Sequence, residues 1–279
     1  MSVIIPLWRE GDRPAALLDV LDRSPWVREV LAVEAEGDPD PLRLRRWKRV
    51  RFLETAPGRA RQMNAGASAA GGELLLFLHA DSMLDPGALE RVCAELAVPG
   101  PIAVSFRLRF RERGVGLAIL AWAGRMLSSI QPWFLGDQGL ALRRPDFHED
   151  GGFPDVAILE DWILVRRLRS RGRLLIVEGP HWTSGRRFLR RGILRQLWTN
   201  LSILFRYGGG EPLDVLAEAY RRTGPDFLAD ESWSDHRMKP PMGAKVQRTK
   251  ELNRNGATWP AGRFRVLGPE STGSRSPGR

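Results

Sequence analysis

Between residues 1 and 222, short runs of β-branched and large apolar residues alternate with segments of helical periodicity. That alternation restricts the chain to a layered α/β architecture built on a mostly parallel sheet. Strands are expected at 3–5, 30–33, 50–53, 74–78 and 174–177, with helices near 14–21, 59–70, 86–96, 114–130, 160–171, 190–206 and 212–222. The alternation of Val104, Phe106, Leu108 and Phe110 with Ser105, Arg107 and Arg109 predicts a half-exposed strand over 103–110. The most informative run is Leu74–Leu78, five apolar residues that give way abruptly to His79, Ala80 and Asp81. A buried central strand that delivers its C-terminal end to a ligand has this form, because open α/β sheets bind ligands at strand ends.

Composition narrows the class further. The 279 residues contain a single cysteine, Cys93, which excludes intrachain disulfides and a four-cysteine zinc site. No apolar stretch reaches the 18 or so residues needed to cross a bilayer; the longest, near Val115–Ala123, stops at Arg125. The first strand starts directly after Met1, leaving no space for a cleaved leader, so a cytoplasmic location is expected. The net charge is +10, but all except four of the 43 basic residues are arginine and they are spread along the chain. A nucleic-acid surface calls for a patch, so none is expected in the body. Residues 223–279 are basic and rich in Gly, Pro and Ser, and are expected to lack a core of their own. If that tail bound nucleic acid, affinity would fall steeply with salt and vanish on its removal.

Several polar residues sit where strands end. Asp81, just past the central strand, offers a hard oxygen ligand to a divalent cation, which in turn would neutralise a diphosphate. The helix expected after Gly58 would point backbone N–H groups and a positive dipole end outward, toward an anion. The apolar helices at 114–130 and 193–205, the latter flanked by arginines, fit either burial against the sheet or attachment to a membrane surface.

The motifs SVIIP (2–6), GRARQMNAGA (58–67), LLLFLHADS (74–82), GDQG (136–139), GGFPD (151–155), LED (159–161) and TSGRR (183–187) occur in that order. Taken together, over residues 1–222, they resemble glycosyltransferase family 2 of GT-A fold, nearest to the bacterial radical-SAM/selenodomain-associated transferases of the second type. The resemblance implies a GT-A (nucleotide-diphospho-sugar transferase, Rossmann-like) sheet and an inverting, Mn²⁺- or Mg²⁺-dependent transfer from a nucleotide-sugar to a hydroxyl acceptor. It implies Asp81, with His79 in the first position of the Asp-x-Asp pattern, as the metal site. Pro6, Glu10, Glu34, Arg59, Gln62, Asn64, Ala80, Asp81, Arg186 and Arg187 would line the donor. Gly136, Asp137, Gln138 and Trp182 would face the acceptor, possible cargo being a lipid-linked alcohol at the inner membrane face. Asp161, with Glu160 beside it, would be the general base. The sequence departs from the family at Glu34–Gly37, where Asp-Gly-Gly-Ser is usual. Two other readings on the same fold are a nucleotidyltransferase and an inactive nucleotide-binding scaffold; Leu7–Asp12 offers only one Gly and Arg9, thin equipment for a triphosphate.

Overall fold

The computed structural model describes residues 1–37, 41–112, 114–130, 138–178, 181–223 and 265–266. Its strands are β1 (Ser2–Leu7), β2 (Glu29–Ala35), β3 (Val50–Thr55), β4 (Leu74–Phe77), β5 (Met83–Leu84), β6 (Pro101–Phe106), β7 (Leu140–Arg143), β8 (Arg173–Val177), β9 (His181–Trp182) and β10 (Arg265–Val266). The helices are α1 (Ala15–Arg23), α2 (Arg59–Ala69), α3 (Pro86–Ala97), α4 (Val115–Ile130), α5 (Arg144–Glu149), α6 (Glu160–Arg171), α7 (Arg186–Arg191), α8 (Ile193–Gly208) and α9 (Leu213–Arg222).

The main sheet has the order β3-β2-β1-β4-β7-β6-β8, with the two residues of β10 paired outside β3. Strands β3, β2, β1 and β4 run parallel, β7 runs antiparallel to both of its neighbours, and β6 and β8 are parallel. The chain moves outward from β1 to β3 and then returns to place β4 on the other side of β1. This reversal opens a crevice beyond the carboxyl ends of β1 and β4, the place where such sheets hold ligands.

Side-chain alternation divides β1 between two cores. Val3, Ile5 and Leu7 join Leu18 and Leu21 of α1 and Leu89 and Val92 of α3. Ile4 joins Met63 of α2, Phe147 of α5 and Leu164 and Leu168 of α6 on the opposite face. Helices on both faces explain why β2 and β6 are buried along their whole length.

Two expectations change here. The half-exposed strand over 103–110 is a fully buried β6 that ends at Phe106. Its arginines lie beyond the strand, where Arg107 meets Glu178 at 2.5 Å, so the alternating pattern belongs to an exit loop. The antiparallel β7 was not anticipated: LALR is only four residues long and follows directly on a Gly-containing loop.

Among the described residues no helix is long and apolar enough to cross a membrane. Helix α2 lies unusually close to the sheet, because a Cβ added to Gly66 would stand 2.5 Å from Ile4 Cγ2 and 3.1 Å from Val33 Cγ2. Gly66→Ala is therefore expected to destabilise the protein by about 1–3 kcal/mol in urea unfolding, despite the better helix propensity of alanine.

Candidate active site

Past β4 the chain turns, the N–H of Ser82 donating to the carbonyl of His79 at 3.1 Å, and Asp81 sits half-buried in that turn. Strand β5 follows and pairs antiparallel with β9, Met83 opposite Trp182 and Leu84 opposite His181. This small ladder carries the Thr183–Arg187 segment alongside the Asp81 loop, where Arg186 and Arg187 open α7. The bend before α7 is held by Glu112, which accepts from Ser184 Oγ at 2.9 Å and from the Gly185 N–H at 2.6 Å.

Across the crevice, α6 begins with Glu160 and Asp161. The preceding Leu159 has φ +66°, a left-handed conformation that costs a branched side chain about 1–2 kcal/mol.

Arg59, the first residue of α2, joins the two sides. Its Nη1 donates to Glu160 and lies 3.5 Å from Asp161 Oδ2, while its Nη2 donates to His79 Nε2 at 2.5 Å. A guanidinium has no acceptor atom, so His79 must offer a lone pair at Nε2 and carry its proton on Nδ1. Burial pushes the Glu160 carboxyl above the usual range and the neighbouring Asp161 adds to the rise, against the pull of Arg59. Glu160 is thus an interior acid neutralised by Arg59. Asp161 is more open, and its Oδ1 accepts from the Trp162 N–H at 2.7 Å. Asp161, Arg59 and His79 share the lining of a small cleft of about 20 Å³, which Phe77 and Phe153 also line. Asp81 is outside that lining, two residues further along the loop.

The remaining expected donor residues lie outside that lining and are held in different ways. Gln62 is buried and its Nε2 donates to the carbonyls of Leu7 and Val33, at 2.7 and 2.8 Å, tying together the ends of β1 and β2. Asn64 forms a two-way pair with Phe153, donating to its carbonyl at 2.8 Å and accepting from its N–H at 3.0 Å. Both amides are spent on main chain and shape the crevice from beneath. Gly152 is held tightly by the same pair: it has φ +67°, and a Cβ there would lie 2.9 Å from Asn64 Oδ1. Phe153 packs edge-on against Phe77 at 4.9 Å, which fixes the GGFPD loop beside β4.

Glu10 is half-buried and 3.4 Å from Arg13. Pro6 lies within β1 opposite Val33, and Ala80 is buried. Glu34 at the end of β2 is buried and ion-paired with Arg43, which also meets Glu54 at 2.6 Å. The expected donor residue Glu34 is therefore part of a two-acid, one-arginine cluster, a feature invisible in the sequence because Arg43 arrives from a short 3₁₀ turn, Pro41–Leu44. Gln138 is buried with its carbonyl 3.3 Å from Ser105 Oγ, and Trp182 is half-buried in β9. Gly136 and Asp137 lie outside the described residues.

Among the described residues no three His, Cys, Asp or Glu side chains converge as a protein-only metal cage. A cation bridging the phosphates of a nucleotide needs only one or two protein carboxylates, the rest of its shell being phosphate and water oxygens. Asp81 suits that role, whereas the Nε2 of His79 is already used by Arg59.

The sequence pattern of glycosyl transferase family 2 matches residues 2–153. The chain belongs to this family. Its members' fold is repeated in solved structures: a mannosyltransferase from Pyrobaculum calidifontis in complex with GDP-Man and Mn²⁺ is 21% identical, with a TM-score of 0.59 over 84% of this chain and 74% of that one. TarS from S. aureus, residues 1–349, is 16% identical, with a TM-score of 0.50 over 88% of this chain and 75% of that one. No curated protein sequence matches the chain significantly. This family 2 chain is a glycosyltransferase with the mixed, mostly parallel sheet of the GT-A fold. The family match ends ahead of Glu160 and Asp161.

His181 escaped the sequence reading altogether. It is fully buried, stacked on Phe106 at 4.9 Å, and neither ring nitrogen has a hydrogen-bond partner among the described residues. Burial pushes its pKa down to about 4. Below pH 6.5 the unfolded chain takes up a proton that the folded chain refuses, so stability falls as the pH drops toward 4. Between pH 7 and 4, wild type is expected to lose on the order of 3 kcal/mol more unfolding free energy than His181→Leu, read from denaturation curves at each pH.

Proposed function

We propose that this glycosyltransferase moves a sugar from a nucleoside-diphosphate donor to an acceptor hydroxyl with inversion at the anomeric carbon, in a metal-dependent single displacement. The observation that carries the proposal is the bridge made by Arg59. One side chain reaches His79 at the end of the central strand and Glu160 and Asp161 at the start of α6. Asp161 is thereby held toward the strand end from which the Asp81 turn leaves.

In this reading Asp161 is the general base. Its carboxylate takes the acceptor hydroxyl proton as that oxygen bonds to the anomeric carbon and the bond from that carbon to the diphosphate oxygen breaks. A positioned base of this kind contributes roughly 10²- to 10⁴-fold in rate. Glu160 does not compete for the role, because it is buried against Arg59. Arg59 compensates both carboxylates, and its place at the start of α2 sets a cation beside a helix N-terminus at the crevice, a favourable arrangement for phosphate oxygens.

Asp81 would hold Mn²⁺ or Mg²⁺, with His79 available only if Arg59 released it. The cation, when bound, neutralises charge on the departing diphosphate. The Thr183–Arg187 segment, carried beside Asp81 by the β5–β9 pairing, is suited to the same phosphates. Glu10, Glu34 and the Arg43 cluster lie toward the nucleoside, while Gln138, Trp182 and the 136–137 segment belong to the acceptor side.

Substitution at the two acids separates binding from turnover. Asp81→Asn is expected to abolish Mn²⁺-dependent binding of nucleoside diphosphates in calorimetry. Asp161→Asn is expected to retain that binding and to lose at least 10²-fold in kcat with a competent donor and acceptor. Normal turnover in both variants would refute the assignment.

A further inference from the structure

Helix α8 turns a stripe of large apolar residues to solvent. The residues it buries include Gln196 and Thr199, with Ile203. Gln196 donates to Asn200 Oδ1 at 2.7 Å, so the inward face is satisfied by polar bonds. Its outward positions are Leu194, Trp198, Leu201 and Phe205, each between 60 and 84% exposed. Their spacing of four, three and four residues places all four on one stripe of the helix. Helix α4 repeats the arrangement with Val115, Ile119, Trp122 and Met126, between 44 and 80% exposed at the same spacing. The two helices meet near their N-terminal ends, where a Cβ on Gly116 would stand 2.4 Å from Ile193 Cδ1. Single exposed apolar residues are ordinary, but two stripes of four on touching helices mark an interaction surface.

The surrounding charge selects the occupant. No Asp or Glu occurs between Glu178 and Glu211, a span that contains six arginines, and none occurs from residue 114 to 136 around α4. Arg195 lies exposed next to Leu194, and Arg206 is paired with Glu211 at the far end of α8. A second copy of the chain would bring like charge against like charge. Interfacial helices that combine a tryptophan-bearing apolar stripe with arginine and no acid bind anionic lipid surfaces.

We propose that α4 and α8 form a docking face that seats the protein on an anionic phospholipid bilayer. The face is connected to the cleft, since Tyr207 of α8 packs edge-on against Trp162 of α6 at 5.3 Å, one residue from Asp161. Docking through a helix that packs on α6 points to an acceptor hydroxyl carried by an amphiphile. That corollary rests on the transferase reading, whereas the docking itself does not.

The test is flotation of the full chain with phosphatidylcholine vesicles and with mixed phosphatidylcholine–phosphatidylglycerol vesicles, alongside the doubly substituted Trp198→Glu, Phe205→Glu protein. Both positions are exposed, and retention of the wild-type melting temperature verifies the fold. Wild type is expected to float with the anionic vesicles and to be released by salt, and the variant to bind at least tenfold less. Arg195→Gln is expected to weaken only the dependence on phosphatidylglycerol. Wild type that ignores both vesicle types, or a variant that floats equally well, would overturn the proposal. So would a wild-type dimer in sedimentation that the two glutamates dissociate, with no lipid binding. Nucleoside diphosphate binding in the same preparation reports on the transferase reading separately, so failure of one is distinguishable from failure of the other.

Discussion

The site depends on how one guanidinium is satisfied inside a crevice. Arg59 stands where α2 begins, on the helix whose Gly66 allows it to lie hard against β1. Its Nη atoms reach the end of β4 and the start of α6, and its buried Nε has no partner among the described residues. Taking a charged arginine and Glu160 out of water is expensive unless each meets the other with good geometry. The pair therefore couples the position of α6 to the position of the central strand, and Asp161 is carried with it. Without Arg59, a buried carboxylate would face an uncompensated cavity and α6 would have reason to move.

The layer architecture was legible because its physical cause is periodicity. Buried parallel strands need continuous apolar runs, and Leu74–Leu78 is one; helices against a sheet need apolar residues at helical spacing, as in α3 and α6. What escaped notice was set by contacts distant in sequence. Strand β7 and the two-residue β5 and β9 exist only because neighbouring strands provide the missing halves of their ladders. The Glu34–Arg43–Glu54 cluster requires ends of two strands and a 3₁₀ turn to converge.

The candidate residues show the same division. Motif order identified the neighbourhood of Gln62 and Asn64, but only the fold reveals that their amides are bound to main-chain groups of β1, β2 and the GGFPD loop. The apolar character of α4 and α8 was plain from composition, yet composition does not say which way an apolar residue points. In α8 Gln196 and Thr199 turn inward beside Ile203 while Leu194, Trp198, Leu201 and Phe205 face outward, an arrangement that burial against a sheet would not produce. Contact between Tyr207 and Trp162 then relates that surface to the cleft.

The central ion pair is measurable by a double-mutant cycle on unfolding free energy, using Arg59→Met, Glu160→Gln and the combined protein. Each single change leaves the other partner buried without its match, at a cost of about 3–5 kcal/mol for the arginine and less for the neutral glutamine. Strong coupling is expected, the combined protein being at least 2 kcal/mol more stable than the sum of the single losses implies. Additive losses would mean that Arg59 and Glu160 do not meet in the folded protein, and that nothing of this kind joins the two sides of the cleft.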